Sequence, residues 1–141
     1  MRRMVPTLLL LGGLPGCGGE AGGADPRWAG FNPGPAPAEV HRGEVVFNSY
    51  CLSCHGLHGI GAAGAGPALL DTLFAPSRLT DEAIISAMDR GVSQKYFNFG
   101  GMPPVQRLTR ADAAQVVKYV RWLQRRAREA DSVSTPSTEV R

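Results

Sequence analysis

The sequence predicts an all-α domain spanning residues 38–130. Three observations carry that reading. Apolar residues recur at helical spacing in three separate segments, no segment alternates apolar and polar residues in the manner of a strand, and glycine and proline concentrate between the segments. The chain has 141 residues, with 18 glycines and 11 prolines. Such a load is high for a packed domain and assigns part of the chain to linker. Five Phe, three Tyr and two Trp are few for a core. Three helices and two long loops make a poor interior by themselves, and a large apolar cofactor would supply the missing volume.

The first helix is expected over 38–50, where Val40, Gly43, Val46, Phe47 and Tyr50 form one stripe behind Pro37. The second opens at Thr80-Asp81-Glu82, with Thr80 as N-cap and two acids complementing the helix dipole. Ala83, Ile84, Ala87 and Met88 make its inner face, and Gly91 ends it. The third begins at Thr109-Arg110-Ala111-Asp112 and carries Ala113, Val116, Val117, Val120 and Leu123. Tyr119 and Trp122 on that helix are read as core. Residues 58–77 and 92–107 are loops.

Outside the domain the chain changes character. Arg2 and Arg3 precede a short apolar run too brief to cross a bilayer as a helix, so residues 1–16 are read as a secretory signal peptide. Leu14-Pro15-Gly16-Cys17 resembles the lipobox of bacterial lipoproteins. That resemblance implies a lipid on Cys17, with Pro15 departing from the small residue usual there. Residues 17–37 are read as a flexible Gly/Pro-rich tether, in which Trp28 and Phe31 are incidental. Residues 131–141 are read as a disordered polar tail.

Fifteen basic against twelve acidic residues give a net charge of +3, too mild and too dispersed for nucleic-acid binding. The bases gather from Arg107 to Arg128: Arg107, Arg110, Lys118, Arg121, Arg125, Arg126 and Arg128 against Asp112 alone. They are read as a solvated helix face rather than a docking field.

Cys51-Leu52-Ser53-Cys54-His55 decides the chemistry. Two thiols three residues apart on a helical turn share a face and can bond the two vinyl groups of one haem. The adjacent His55 can then direct a ring nitrogen to the iron. Two other uses of the cysteines compete. A zinc site from Cys51, Cys54, His55 and His58 asks neighbouring residues to ligate one tetrahedral ion. A disulfide oxidoreductase wants a strand-to-helix context, and none is present.

Around this motif the chain resembles the class I cytochromes c, over about residues 39–124. Gly43-Glu44-Val45-Val46-Phe47 is similar to the family's first helix, whose glycine crosses the last helix near Tyr119. Gly66-Pro67-Ala68-Leu69 resembles the loop whose proline carbonyl accepts a hydrogen bond from the proximal histidine. Gly100-Gly101-Met102-Pro103-Pro104 resembles the loop that brings methionine to the iron. The resemblance implies a class I cytochrome c fold around one haem c, attached by thioethers to Cys51 and Cys54. His55 and Met102 are then the axial ligands and Pro67 the acceptor behind His55.

Met88 is assigned to packing, and His41 and His58 are the alternatives to Met102. Arg78 and Tyr96 are candidates for the haem propionates. With both axial positions filled, the implied function is one-electron transfer between redox proteins, with no catalytic residues and no small-molecule substrate. The alternative function is that of a haem c subunit feeding or draining electrons for a membrane oxidoreductase complex. A peroxidase or gas sensor would require iron free of Met102. The expected location is the periplasmic side of a bacterial membrane.

Overall fold

A computed structural model describes residues 25–95 and 97–134. The signal peptide, Cys17, the start of the tether, Tyr96 and the end of the tail lie outside the described residues. Four α-helices follow in order: α1 (Ala38–Tyr50), α2 (Leu52–His55), α3 (Asp81–Arg90) and α4 (Arg110–Ser134). Single 3-10 turns occur at Pro26–Trp28, Leu57–Gly59 and Thr72–Phe74. No strand forms among the described residues; two isolated bridges, Ala62 with Gly66 and Val92 with Met102, tie loops together. This is the all-α architecture that the sequence predicts.

The caps sit where the side chains require them. Thr80 accepts from the Ala83 amide at 3.2 Å and starts α3. Thr109 accepts from the Asp112 amide at 3.1 Å and starts α4. Each supplies one of the amide partners that a helix N-terminus lacks.

The crossing of α1 on α4 makes the core. Val40, Val46 and Phe47 of α1 meet Val116, Val117, Tyr119, Val120, Leu123 and Ala127 of α4, with Met88 of α3 alongside. Phe47, Tyr119 and Leu123 are fully buried. Each such side chain stabilises the fold by about 1.5–3 kcal/mol. Phe47 packs on Tyr119 with ring centroids 5.5 Å apart, and Tyr119 stacks on Trp122 at 5.7 Å. The helices approach this closely because Gly43 faces α4: a Cβ there would overlap the Gln115 carbonyl and lie 2.9 Å from Tyr119 Cβ.

Three expectations are corrected. Residues 25–37 are not a free tether. Trp28 and Phe31 pack against the core, and the Asp25 amide donates to Ile60 O at 3.1 Å. Arg27 bridges Asp25 and Asp71 at 2.6 Å each, while Arg126 donates to the buried Pro33 carbonyl at 3.0 Å. Glycine and proline shape this strap without freeing it, because its two aromatic rings find apolar surface to cover.

The tail begins later than expected, since α4 continues to Ser134. An Arg126–Glu129 pair and a Ser132 hydroxyl bond to the Glu129 carbonyl support the polar last turns. The basic face is also not uniformly solvated. Arg121 is 8% exposed and bonded to Asp81, and Arg110 and Arg126 pair with Glu82 and Glu129.

Arg27 draws Asp25 of the strap and its partner Asp71 below the ordinary value of 3.8: hydrogen bonding to it is the main cause at Asp25, while at Asp71 the Leu73 amide and Arg27 together outweigh the opposing burial. The two carboxylates therefore stabilise the docked strap above pH 3.8, and that contribution falls away as pH drops through their lowered values. Arg27 is largely exposed, so the pair to Asp71 is worth little. Asp71→Asn is expected to cost about 0.5 kcal/mol globally. It should also raise the rate of limited proteolysis between residues 25 and 37, with cleavage elsewhere unchanged.

Candidate haem site

The site is built on the end of α1. The Cys51 amide closes that helix by donating to Phe47 O at 2.8 Å, and the chain turns at once into α2. Within α2 the His55 amide donates to Cys51 O at 2.9 Å, so the two cysteines and the histidine ride on one helical turn. Cys51 is buried and Cys54 exposed, with no disulfide between them. Burial, with a smaller contribution from Cys54, pushes the Cys51 thiol up to about 11. A disulfide oxidoreductase needs the opposite shift, a thiol lowered towards neutral pH.

His55 is half-buried, and its Nδ1 lies 3.0 Å from Pro67 O. A carbonyl can only accept, so the proton sits on Nδ1 and the lone pair on Nε2. Burial lowers the His55 pKa, opposed by the bond to Pro67, and the ring is favoured in its neutral, ligating form.

The loop that carries Pro67 is pinned against α2. Ala62 and Gly66 exchange backbone hydrogen bonds at 3.0 Å, and the Gly61 amide donates to His55 O at 2.8 Å. Gly66 is required by close approach: a Cβ would come within 2.5 Å of Cys54 O. Two residues beyond Pro67, the Leu69 amide donates to Gly59 O at 2.8 Å.

Met102 is held separately. Its amide and carbonyl exchange 2.8 Å hydrogen bonds with Val92, just past α3, and the Val105 amide donates to Met88 O at 2.8 Å. Gly91, at φ 75°, permits this pairing, because a Cβ would lie 2.6 Å from Met102 O. The Met102 side chain is half-buried against the core. Met88 is 4% exposed within the core, in keeping with its assignment to packing.

The other expected contributors are peripheral. His41 is exposed on α1, with Nδ1 3.2 Å from Glu44. His58 occupies a left-handed turn at φ 56°, and Arg78 is exposed. Among the described residues no three of His, Cys, Asp or Glu gather as a metal-ion group, which removes the support for zinc.

Three features escaped the sequence reading. Gln124 and Arg121 are buried polar residues on α4, at 2% and 8% exposure. The placement of Gln124 beside Leu123 in an otherwise apolar stripe was their only sequence signal. Phe74, Phe97 and Phe99 stack in a row, with centroids 6.1 and 5.7 Å apart. Nothing in the sequence joins Phe74 to the other two.

The donor set fits haem c. It offers two thiols on one turn, a neutral imidazole with its second nitrogen already committed, and a thioether in a loop fixed by backbone bonds. Leu52, Leu57, Leu73 and Phe99 leave apolar surface exposed, as a partly enclosed macrocycle would use. A family model described as cytochrome C oxidase, cbb3-type, subunit III matches residues 38–120. No curated protein and no solved structure matches the chain.

Proposed function

Because the chain belongs to the cytochrome C oxidase, cbb3-type, subunit III family, a family of class I c-type cytochrome domains, we propose that it is a monohaem one-electron carrier with His/Met-ligated iron. Haem-based electron transfer is the family's chemistry. In this chain Cys51 and Cys54 would hold the haem by thioethers, His55 and Met102 would ligate its iron, and Pro67 sets the orientation of His55. The observation that carries the reading is the 3.0 Å bond from His55 Nδ1 to Pro67 O, on the same turn as both cysteines. It fixes the tautomer, aims Nε2 and makes the imidazole a stronger donor.

When bound, the haem supplies Fe(III)/Fe(II) cycling. The residues of the chain orient it, lower the dielectric around it and resist rearrangement between the two states. The Met102 loop is held by main-chain bonds to Val92, which resist its displacement. Redox proteins are the donors and acceptors. Export and a lipid on Cys17 place the domain on the periplasmic side of a bacterial membrane. No helix among the described residues is long and apolar enough to cross one.

A second reading is favoured by the family's own description, that of an oxidase subunit. The domain would then pass electrons within a membrane oxidoreductase complex. Migration of the haem-stained chain in a detergent extract, alone or in a large assembly, separates the two.

The test of the common claim is absorption spectroscopy of protein matured in a periplasm. The expected result is one haem per chain that resists acid-organic extraction, with sharp low-spin bands on reduction. Haem that extracts, or none at all, overturns the proposal. High-spin bands would remove Met102 from the iron.

A further inference from the structure

We propose that Gln124, oriented by Arg121, is a positioning residue for the proximal ligand: it fixes the carbonyl to which His55 donates. The inference rests on the haem reading above and concerns two residues on the far helix, neither of which belongs to the attachment motif.

Gln124 Nε2 donates to Leu69 O at 2.8 Å and to Phe74 O at 3.0 Å. Arg121 Nη1 donates to Gln124 Oε1 at 2.9 Å and to Phe74 O at 2.6 Å. Arg121 also reaches Asp81 Oδ1 through Nε at 2.7 Å, and Leu79 O through Nη2. Guanidinium can only donate, and backbone carbonyls can only accept. The orientation of the Gln124 amide is therefore forced. Its oxygen must face Arg121 and its nitrogen must face the two carbonyls.

The consequence reaches His55 through two covalent steps. Leu69 is held at both ends, by Gly59 O on its amide and by Gln124 on its carbonyl. Pro67 lies two residues earlier, joined through the buried Ala68. Apart from Leu69, the backbone-to-backbone bonds of the segment from Leu69 to Leu79 are local turn bonds, such as Phe74 to Asp71 and Leu79 to Ala75. Leu70 in the core and the Arg27–Asp71 bridge anchor the start of this segment, and the α4 side chains supply the hydrogen bonds to its carbonyls at Leu69, Phe74 and Leu79. Burying an amide and a guanidinium is costly unless both are satisfied, and here their donors converge on the loop that leaves Pro67.

The test uses holoprotein carrying Gln124→Met, with Ala114→Gly on the same helix as a control for general loss of stability. Proton NMR of the reduced form follows hydrogen exchange of the His55 Nδ1–H. Exchange is expected to be about ten-fold faster than in a control of matched stability. The midpoint potential is expected to shift upward, because weaker donation to Pro67 makes the imidazole less electron-rich. Exchange and potential equal to those of the control would overturn the proposal and leave Gln124 as core packing.

If Gln124→Met yields no holoprotein, Arg121→Lys is read by the same two criteria. Lysine keeps the charge near Asp81 but lacks the planar fork that serves Gln124 and the carbonyls together. Absence of covalent haem from the unaltered protein would overturn the electron-carrier reading instead.

Discussion

Met102→Ala is expected to abolish the weak far-red band of sulfur-ligated ferric haem while leaving the haem covalently attached. The reason lies in what holds the loop. Both hydrogen bonds from residue 102 to Val92 are main-chain bonds, so alanine preserves the loop and removes only the thioether. Methionine ligation raises the haem potential. Its loss should lower the midpoint by on the order of 0.2 V, within the ~0.8 V span that axial ligands control. The half-buried side chain adds a stability cost of about 1–2 kcal/mol. Redox titration and the oxidised spectrum read both effects. A far-red band that survives in the variant would place a different sulfur on the iron, and an unchanged potential would reopen His41 and His58.

The second large effect falls on the crossing of α1 and α4. Gly43→Ala places a methyl group into the Gln115 carbonyl and against Tyr119 Cβ. Backbone cannot move aside as a flexible side chain can, so α1 and α4 must separate. The Phe47–Tyr119 contact at 5.5 Å loosens with them. Alanine returns about 0.5–1 kcal/mol of helix propensity, against an overpacking cost near the top of the usual 1–3 kcal/mol range. A net loss of about 2 kcal/mol is expected, or a fall of roughly 10 °C in Tm. Val45→Ala, at an exposed position on the same helix, should stay within about 0.5 kcal/mol. Thermal unfolding of the two holoproteins compares them directly. Equal melting temperatures would mean that the helices tolerate a wider crossing.

These effects were legible in the sequence to different degrees. The helices were readable because their ends are marked by local chemistry: α3 begins at Asp81 behind the Thr80 cap and ends before Gly91, as its residues imply. The attachment motif was equally local. The His55–Pro67 bond followed from resemblance and appears at 3.0 Å, although twelve residues separate the partners. The strap was misread because glycine and proline report on local stiffness and say nothing of distant surface. Trp28 and Phe31 dock because an apolar surface lies within reach, and only the folded chain shows it. Arg121 was misassigned for a related reason. Its six basic companions suggested a solvated face, whereas burial is decided by the carbonyls of Phe74 and Leu79, more than forty residues away. Long-range polar pairing of this kind leaves no periodic trace.

The docked strap changes the geometry of any attachment through Cys17. A chain free as far as α1 would behave as a leash, letting the domain tumble with its haem facing any direction. With Asp25 clipped to Ile60 and bracketed through Arg27 to Asp71, the packed domain reaches back to Asp25 rather than starting at α1. Seven residues lie between Cys17 and Asp25, a stretch that can span at most about 28 Å. A lipid on Cys17 would then confine the domain to a smaller search volume and raise the effective concentration of partners in the same membrane. The exit point also lies on the surface beside Ile60, a few residues beyond His55. Lipid on Cys17 would keep that flank nearest the bilayer and present the remaining flanks to redox partners alongside.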